Sequence, residues 1–101
     1  ITDAAKILEE NGVDVIVLEL IPSELGKRVT QQIQIPTIGI GAGVFVDGQV
    51  LVLHDMLGLT NGLQPKFVRS FFSMSKTIEQ AVKNYISAVR NKEYPSSEHS
   101  Y

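Results

Sequence analysis

Cysteine is absent from the 101 residues of this sequence, and histidine occurs only as His54 and His99. The first absence excludes disulfide scaffolds and thiolate zinc sites, and the second excludes a histidine-rich metal site. Charge of one sign is not concentrated either, because 9 lysines and arginines stand against 11 aspartates and glutamates without a dense basic patch. We therefore predict that the protein has no nucleic-acid partner.

Long apolar runs and targeting signals are also missing. No apolar stretch reaches the ~18 residues that a membrane-spanning helix needs, and the opening residues, ITDAAKILEENG, lack the basic start and apolar run of a signal peptide. Together with the absence of cysteine, this predicts a cytoplasmic protein with no membrane partner. The sequence begins inside a helical pattern without an initiator methionine, so we expect a fragment, a processed chain or partial numbering.

Helical and extended patterns alternate along the chain. Helices are predicted at residues 2–11, 23–33, 65–71 and 75–91, and strands at residues 13–20, 37–40 and 49–55. This alternation indicates βαβ units and a parallel sheet. Strands as apolar as VDVIVLEL are typical of strands buried on both faces, in a helix-covered sheet or a closed barrel. Three strands cannot close a barrel and leave sheet edges open, which indicates that the rest of a fold is missing.

Three of the predicted helices carry an apolar stripe at helical spacing, and we expect each stripe to face the core. The stripes are Ala4, Ile7 and Leu8 in the first helix, Leu25, Val29 and Ile33 in the second, and Ile78, Val82, Tyr85, Ile86 and Val89 in the last. Phe67, Phe71 and Phe72 are most simply explained by packing. The polar tail, EYPSSEHSY, is expected to be frayed or held by a neighbour, and no role is predicted for His99.

One acidic residue stands at the end of the first predicted strand. Because side chains alternate along a strand, Val13, Val15, Val17 and Glu19 share one face. Three β-branched valines suit the packed interior of a parallel barrel, whose active site lies at the carboxyl ends of its strands. Glu19 is therefore a candidate general base. A strand-end glutamate that simply reaches solvent is equally compatible with this pattern.

Two other features carry weaker signals. Glycines alternate in the segment 39–43, and glycine-rich loops after late barrel strands often hold phosphate. The spacing is not that of a nucleotide-binding motif, so a tight strand-to-loop turn is the favoured interpretation. His54 and Asp55 end the third predicted strand, and as neighbours they point to opposite faces and cannot form a catalytic dyad there. Either one of them faces the site while the other caps the next turn, or both have a structural hydrogen-bonding role, which is the interpretation that we favour.

Several ordered segments resemble one enzyme family. The text GVDVIVLELIPSELGKRVTQQIQIPTIGIGAGVFVDGQVLVLHDMLGL is similar to the late part of the ketopantoate (3-methyl-2-oxobutanoate) hydroxymethyltransferase family, and the resemblance runs from about Ala4 to the end. It includes the glutamate-ended strand with its proline, the IPTIGIGAG, DGQVLVLHD and PKFV segments, and the closing P-x-x-EHS-aromatic tail. That order of segments is far more specific than any single motif.

The resemblance implies an α/β fold, the C-terminal part of a (β/α)8 TIM barrel of the phosphoenolpyruvate/pyruvate type. Residues 1–101 would be the last three βα units and C-terminal helices of one domain whose N-terminal portion is absent. The implied reaction transfers a hydroxymethyl group from 5,10-methylenetetrahydrofolate to 3-methyl-2-oxobutanoate, giving 2-dehydropantoate in pantothenate synthesis. In this family Mg²⁺ binds the oxo acid and a glutamate takes the proton from C3, and that glutamate matches Glu19.

The family's magnesium ligands lie on earlier strands, so no metal ligand and no cofactor-binding residue is assigned on this chain, which alone is expected to be inactive. The resemblance also implies a homodecamer that binds small-molecule substrates. Two alternatives stay open: an inactive fragment that serves only as an assembly or binding module, and another lyase of the same barrel superfamily. An upstream sequence that carries the family's magnesium-binding aspartates would favour the enzyme.

Overall fold

A computed structural model describes residues 1–72 and 76–101 of the chain. The helices are α1 (Thr2–Glu10), α2 (Ser23–Gln32), α3 (Leu53–Met56) and α4 (Ile78–Arg90), and the strands are β1 (Ile16–Glu19), β2 (Thr37–Ile40) and β3 (Gly48–Gln49). A 3-10 turn, Ser97–His99, follows α4. Within the described residues, none of these helices is long and apolar enough to cross a membrane.

The three strands form one parallel sheet in the order β1, β2, β3. β1 and β2 pair along their full lengths, from Ile16 opposite Thr37 to Glu19 opposite Ile40. The predicted parallel pairing of consecutive strands is therefore confirmed, although β1 begins three residues later than predicted. The carboxyl ends of β1 and β2 consequently lie side by side.

The two faces of β1 lie in different surroundings. Ile16 and Leu18 are buried in a core that α1 and α2 share, whereas Val15 and Val17 are 48% and 60% exposed. The strand is thus covered on one face, not on both as predicted. α1 and α2 pack on the same side of the sheet, because residues of both helices share one core with Ile16 and Leu18.

The core behind the sheet follows the predicted stripe in α2 but not the one in α1. Val29 is fully buried and Ile33 is nearly so, and burying side chains of this size typically contributes about 1.5–3 kcal/mol each. In α1 the buried residue is Ala5, while Ile7 and Leu8 are exposed. Because the side of α1 that carries Ala5 meets this core, the larger apolar side chains point away from it.

Two acidic side chains hold the start of β2. The Glu9 carboxylate accepts hydrogen bonds from the backbone N–H groups of Gln34 and Ile35. Asp47 accepts from the backbone N–H and the hydroxyl of Thr37, at 2.9 and 3.2 Å. Thr37 is fully buried, so these bonds satisfy polar groups that water cannot reach.

The chain leaves the sheet earlier than the sequence predicts. A strand was predicted over residues 49–55, but only Gly48–Gln49 pairs with β2, and Leu53–Met56 form α3. Met56 and Leu57 are buried in a second core, on which α4 also packs. An apolar run that continues a strand and one that bends into a helix look alike in sequence. The burial of these two side chains accompanies the bend.

The helix predicted at residues 65–71 is a turn followed by non-helical chain. The N–H of Val68 donates to the carbonyl of Pro65 at 3.0 Å, which closes the turn. The N–H of Phe71 donates to the carbonyl of Met56 at 2.7 Å, and not to a carbonyl of its own segment. The hydrogen bond to α3 therefore takes the place of the helical hydrogen bond that Phe71 would have made.

α4 begins at Ile78, with Thr77 capping its first turn through its side chain. The start predicted at residue 75 lies outside the described residues. The residues that α4 buries most deeply are its two alanines, Ala81 and Ala88. The predicted stripe is confirmed in part, because three of its members pack beside them, namely Val82, Tyr85 and Val89. Its other two members, Ile78 and Ile86, are exposed.

Candidate active site

Glu19 is the last residue of β1, and its side chain is exposed. It lies opposite Ile40 and shares the open face of the sheet with Val17. The structure therefore places Glu19 at the carboxyl end of a parallel strand, on the side away from the helices. A carboxylate at this position is accessible to a molecule that approaches the carboxyl edge of the sheet.

The turn after Glu19 has an unusual backbone conformation. Leu20 has a φ of 51°, in the left-handed region that non-glycine residues rarely adopt. This turn is held by the end of β2 and the residue after it. The N–H of Leu20 donates to the carbonyl of Ile40 at 3.0 Å, and that of Ile21 donates to the carbonyl of Gly41 at 3.1 Å. Such a conformation costs on the order of 1–3 kcal/mol and persists only where its surroundings enforce it. The end of β1 is therefore a constrained part of the chain.

The glycine segment after β2 is a tight turn, as the sequence favoured. Gly41 and Gly43 have φ values of 68° and 82°. A β carbon on Gly41 would lie 2.9 Å from the ring of Phe67, and one on Gly43 would lie 2.3 Å from the hydroxyl of Ser23. The absence of side chains at these two positions therefore lets α2 and the segment around Phe67 approach the end of β2.

The sequence predicted His54 and Asp55 at the end of a strand. The structure places both in α3. The hydroxyl of Thr60 donates to the Asp55 carboxylate at 2.6 Å, so this aspartate makes a side-chain hydrogen bond to the loop that follows α3. The His54 side chain is exposed, and its backbone carbonyl accepts the N–H of Leu59 at 2.8 Å. The structural hydrogen bonding favoured for this pair is therefore present at the Asp55 side chain.

An aromatic cluster lies beside this edge of the sheet. The ring centroid of Phe71 is 5.4 Å from that of Tyr85 and 5.4 Å from that of Tyr94, both in edge-to-face geometry. The buried hydroxyl of Tyr94 donates to the backbone carbonyl of Phe67. Burial raises the pKa of both tyrosines. The packing role predicted for Phe67 and Phe71 is confirmed, since both are buried in the second core.

The end of the sequence is packed against this cluster and is not frayed. The His99 ring lies 5.2 Å from that of Tyr94, and its Nδ1 lies 2.8 Å from the hydroxyl of Ser96. Burial lowers the pKa of His99, and the positive charge of Arg69 lowers it further, against the opposing effect of Glu98. The neutral imidazole is therefore the form that this packing favours.

Tyr101 reaches the turn that follows Glu19. Its backbone carbonyl accepts the N–H of Ser23, the first residue of α2, at 3.0 Å. Its ring lies 5.5 Å from the ammonium group of Lys66. No role was predicted for Tyr101 from the sequence. The signal that could have pointed to it is that Tyr101 is the aromatic residue that closes the P-x-x-EHS segment.

A metal centre is not formed by the residues that the structure describes. Among residues 1–72 and 76–101, no three Asp, Glu or His side chains lie close enough together to bind an ion. The side chains present therefore do not fit the magnesium ion that the resemblance implies.

The fold and its carboxyl edge define an α/β protein built from parallel βα units, with a candidate catalytic carboxylate at the end of a strand. A model of the family described as ketopantoate hydroxymethyltransferase matches residues 1–97. The chain belongs to this family, as the resemblance predicted.

Curated relatives carry the name 3-methyl-2-oxobutanoate hydroxymethyltransferase. The protein from Chlorobaculum tepidum is 55% identical over 97 residues, which cover 96% of this chain and 35% of that protein. The protein from Cytophaga hutchinsonii is 54% identical, covering 96% of this chain and 36% of its own length. The protein from Syntrophomonas wolfei is 50% identical over 101 residues, 100% of this chain and 37% of its own. The chain thus spans little more than a third of the relatives that it matches.

Proposed function

We propose that the complete protein transfers a hydroxymethyl group from 5,10-methylenetetrahydrofolate to 3-methyl-2-oxobutanoate, giving 2-dehydropantoate for pantothenate synthesis. The observation that carries this proposal is the family match over residues 1–97. Relatives of that name at 50–55% identity support it. The exposed carboxylate of Glu19 at the carboxyl edge of the sheet adds a residue suited to the proton transfer.

The fold proposed for the complete protein is a (β/α)8 barrel of the phosphoenolpyruvate/pyruvate type. In it, β1, β2 and β3 are consecutive strands, and residues 1–101 form the last three βα units with the C-terminal helices. The parallel order of the strands supports this arrangement. So does the apolar open face at Val15 and Val17, because branched residues on that face would fill a barrel interior.

In this proposal Glu19 takes a proton from C3 of the oxo acid. C3 is bonded to the ketone carbon, so the electron pair of the broken C3–H bond moves toward the ketone oxygen and an enolate forms. The carboxylate becomes a carboxylic acid. C3 then forms a bond to the one-carbon unit as the two bonds from that carbon to the folate nitrogens break, and water supplies the new hydroxyl group. The proton held by Glu19 and the remaining proton of the water go to those nitrogens, so tetrahydrofolate leaves and the carboxylate is restored. A positioned general base typically contributes ~10²–10⁴-fold to the rate of such a proton transfer.

Other parts of the proposal depend on family membership alone. A magnesium ion that binds the oxo acid would need its ligands from other strands of the complete barrel. The residues that contact the folate are likewise not assigned on this chain. We also propose a homodecamer in the cytoplasm, with small molecules as its substrates.

The test is deuterium exchange at C3 of 3-methyl-2-oxobutanoate, followed by NMR in deuterated water without folate. Glu19→Gln in the complete enzyme keeps the shape of the side chain but removes its basic carboxylate. We expect the exchange rate to fall by ~10²–10⁴-fold, while the Kd for the oxo acid changes little. Omitting the folate separates proton transfer from hydroxymethyl transfer.

The matched control is Glu10→Gln, which neutralises an exposed carboxylate at the end of α1 and should leave the exchange rate unchanged. Wild-type exchange in Glu19→Gln would show that Glu19 is not the base. If the complete wild-type protein binds the oxo acid but neither exchanges C3 nor transfers the one-carbon unit, the alternative of an assembly or binding module is favoured. Another lyase of the superfamily would instead cleave a carbon–carbon bond in a related acid.

A further inference from the structure

We propose that Tyr101 is a positioning residue for Glu19, because it holds the turn of residues 20–23 that directly follows this carboxylate. The inference rests on the proposed function, in which Glu19 is the base. It concerns a residue that does not itself reach the reacting atoms. The argument starts from two contacts that Tyr101 makes with different parts of the chain.

The first contact is at the start of α2. The N–H groups in the first turn of a helix have no partner within the helix, and the residue before α2, Pro22, makes no side-chain cap hydrogen bond. The carbonyl of Tyr101 accepts the N–H of Ser23 at 3.0 Å. It therefore stabilises the first turn of the helix that begins four residues after Glu19.

The second contact anchors the ring of Tyr101. The ammonium group of Lys66 lies 5.5 Å from the ring centroid, within the range of a cation–π interaction. Its neighbour Phe67 is buried against Gly41 and accepts the hydroxyl of Tyr94. The segment 94–101, called the tail segment below, is thus attached at both ends to the same stretch of chain, residues 66–67.

These anchors act on a turn whose conformation is not relaxed. Leu20 adopts a φ of 51°, which costs free energy and depends on neighbouring contacts. On its strand side the turn is held by hydrogen bonds to Ile40 and Gly41. On its helix side, Ser23 is held by Tyr101. Without its ring anchored at Lys66, the Tyr101 carbonyl is no longer held against Ser23. The turn then loses its helix-side support, and the carboxylate of Glu19 shifts relative to a bound substrate.

The expected consequence is a slower proton transfer with little change in substrate affinity. A displacement of 1 Å can cost ~10²-fold in rate, and a turn that keeps its strand-side bonds should move less than that. In the complete enzyme we expect Tyr101→Leu to lower the C3 exchange rate by ~10-fold. The Kd for the oxo acid and the Tm should remain close to those of the wild type, because the Tyr101 side chain is partly exposed.

Two further variants separate positioning from a general structural effect. Tyr101→Phe keeps the ring over Lys66, so it should exchange C3 at nearly the wild-type rate. Lys66→Met removes the cation and, like Tyr101→Leu, should lower the C3 exchange rate. The double variant Lys66→Met, Tyr101→Leu should be no slower than Tyr101→Leu alone, since the two changes remove one interaction. Lys76→Met, at another exposed lysine, is the matched control and should behave as the wild type.

The outcomes separate this inference from the proposed function. If Glu19→Gln slows exchange but Tyr101→Leu does not, Glu19 remains the base and the positioning role of Tyr101 is overturned. It is also overturned if exchange in Tyr101→Leu falls only in proportion to the fraction of protein that unfolds, measured by circular dichroism. Wild-type exchange in Glu19→Gln rejects the base itself, whatever the Tyr101 variants show.

Discussion

The carboxylate of Glu9, near the end of α1, accepts the backbone N–H of Ile35 at 3.0 Å. The same carboxylate oxygen also accepts the N–H of Gln34. One side chain thus joins the helix before β1 to the loop that enters β2. A hydrogen bond to a charged group typically contributes ~1.5–3 kcal/mol, more than a neutral pair of the same geometry.

Removing this carboxylate should destabilise the protein. We expect Glu9→Ala to lower the free energy of unfolding of the complete protein by ~1.5–3 kcal/mol, because two loop N–H groups lose their acceptor. Urea unfolding followed by circular dichroism measures the change. Glu10→Ala is the matched control, since Glu10 is exposed, and equal losses in the two variants would contradict the assignment.

The glycine turn after β2 offers a test of close packing. Gly41→Ala places a methyl group in the left-handed region and 2.9 Å from the ring of Phe67. Gly62→Ala places one at a φ of 89°, with no atom within 4 Å. The control should therefore show only the conformational cost of ~1–2 kcal/mol, while Gly41→Ala adds an overpacking cost of ~1–3 kcal/mol. Equal unfolding free energies would show that the Phe67 ring yields without cost.

The hydroxyl of Thr37 is the polar group of a fully buried residue. It lies 2.8 Å from the hydroxyl of Thr30 and 3.2 Å from the Asp47 carboxylate. Thr37→Val keeps the shape of the side chain but removes these bonds, so we expect a loss of ~1–3 kcal/mol in unfolding free energy. Thr37→Ser keeps the hydroxyl and should lose less. A greater loss in the serine variant would assign the effect to the methyl group.

The pH dependence of stability should report on His99. Burial of its ring, with the charge of Arg69 as the second cause, lowers the pKa of His99 below the ordinary value of 6.5. The unfolded chain has the ordinary pKa, so as pH falls it binds a proton before the folded protein does. The contribution of His99 is therefore complete above about pH 6.5 and is lost as pH falls through the lower pKa of the folded state.

His99→Asn should remove this dependence while keeping an oxygen acceptor for the N–H of Ser96. Unfolding free energies are measured for wild type and variant between about pH 8 and about pH 5. The difference, wild type minus variant, should be constant in the alkaline part of this window and decrease in the acid part. A difference that stays constant throughout would contradict the assignment.

Local pattern was sufficient to place β1 and α2 to within three residues at their starts and to put Glu19 at the end of β1. A run of β-branched residues predicts a strand, and the alternation of side chains predicts which residues share a face. Glu19, two residues after Val17, then marks the end of the strand on the same face. The same information failed for residues 49–55, where Met56 and Leu57 turn the chain into a second core. The helix α1 was predicted, but its apolar stripe was wrong, since a pattern shows that Ile7 is apolar but not which side of the helix the rest of the chain covers.

Contacts between distant parts of the chain were beyond sequence reasoning for a different reason. The tail segment is polar in composition, so its pattern predicted that it is frayed or held by a neighbour, without showing which one. In the structure Tyr94 is 3% exposed and its hydroxyl reaches Phe67, and Tyr101 reaches Ser23. No local periodicity encodes such pairings, because each depends on how the intervening helices and strands place the two segments.

The hydrogen bond between Ser23 and Tyr101 also has a consequence for the order of events during synthesis. Ser23 leaves the ribosome long before Tyr101 does, and at ~5–20 residues per second the delay is on the order of several seconds. During that interval α1, β1, α2 and β2 can pair through contacts that are close in sequence. The first turn of α2 gains its acceptor only after Tyr101 has been translated, so the turn that follows Glu19 reaches its final form later than the pairing of β1 with β2.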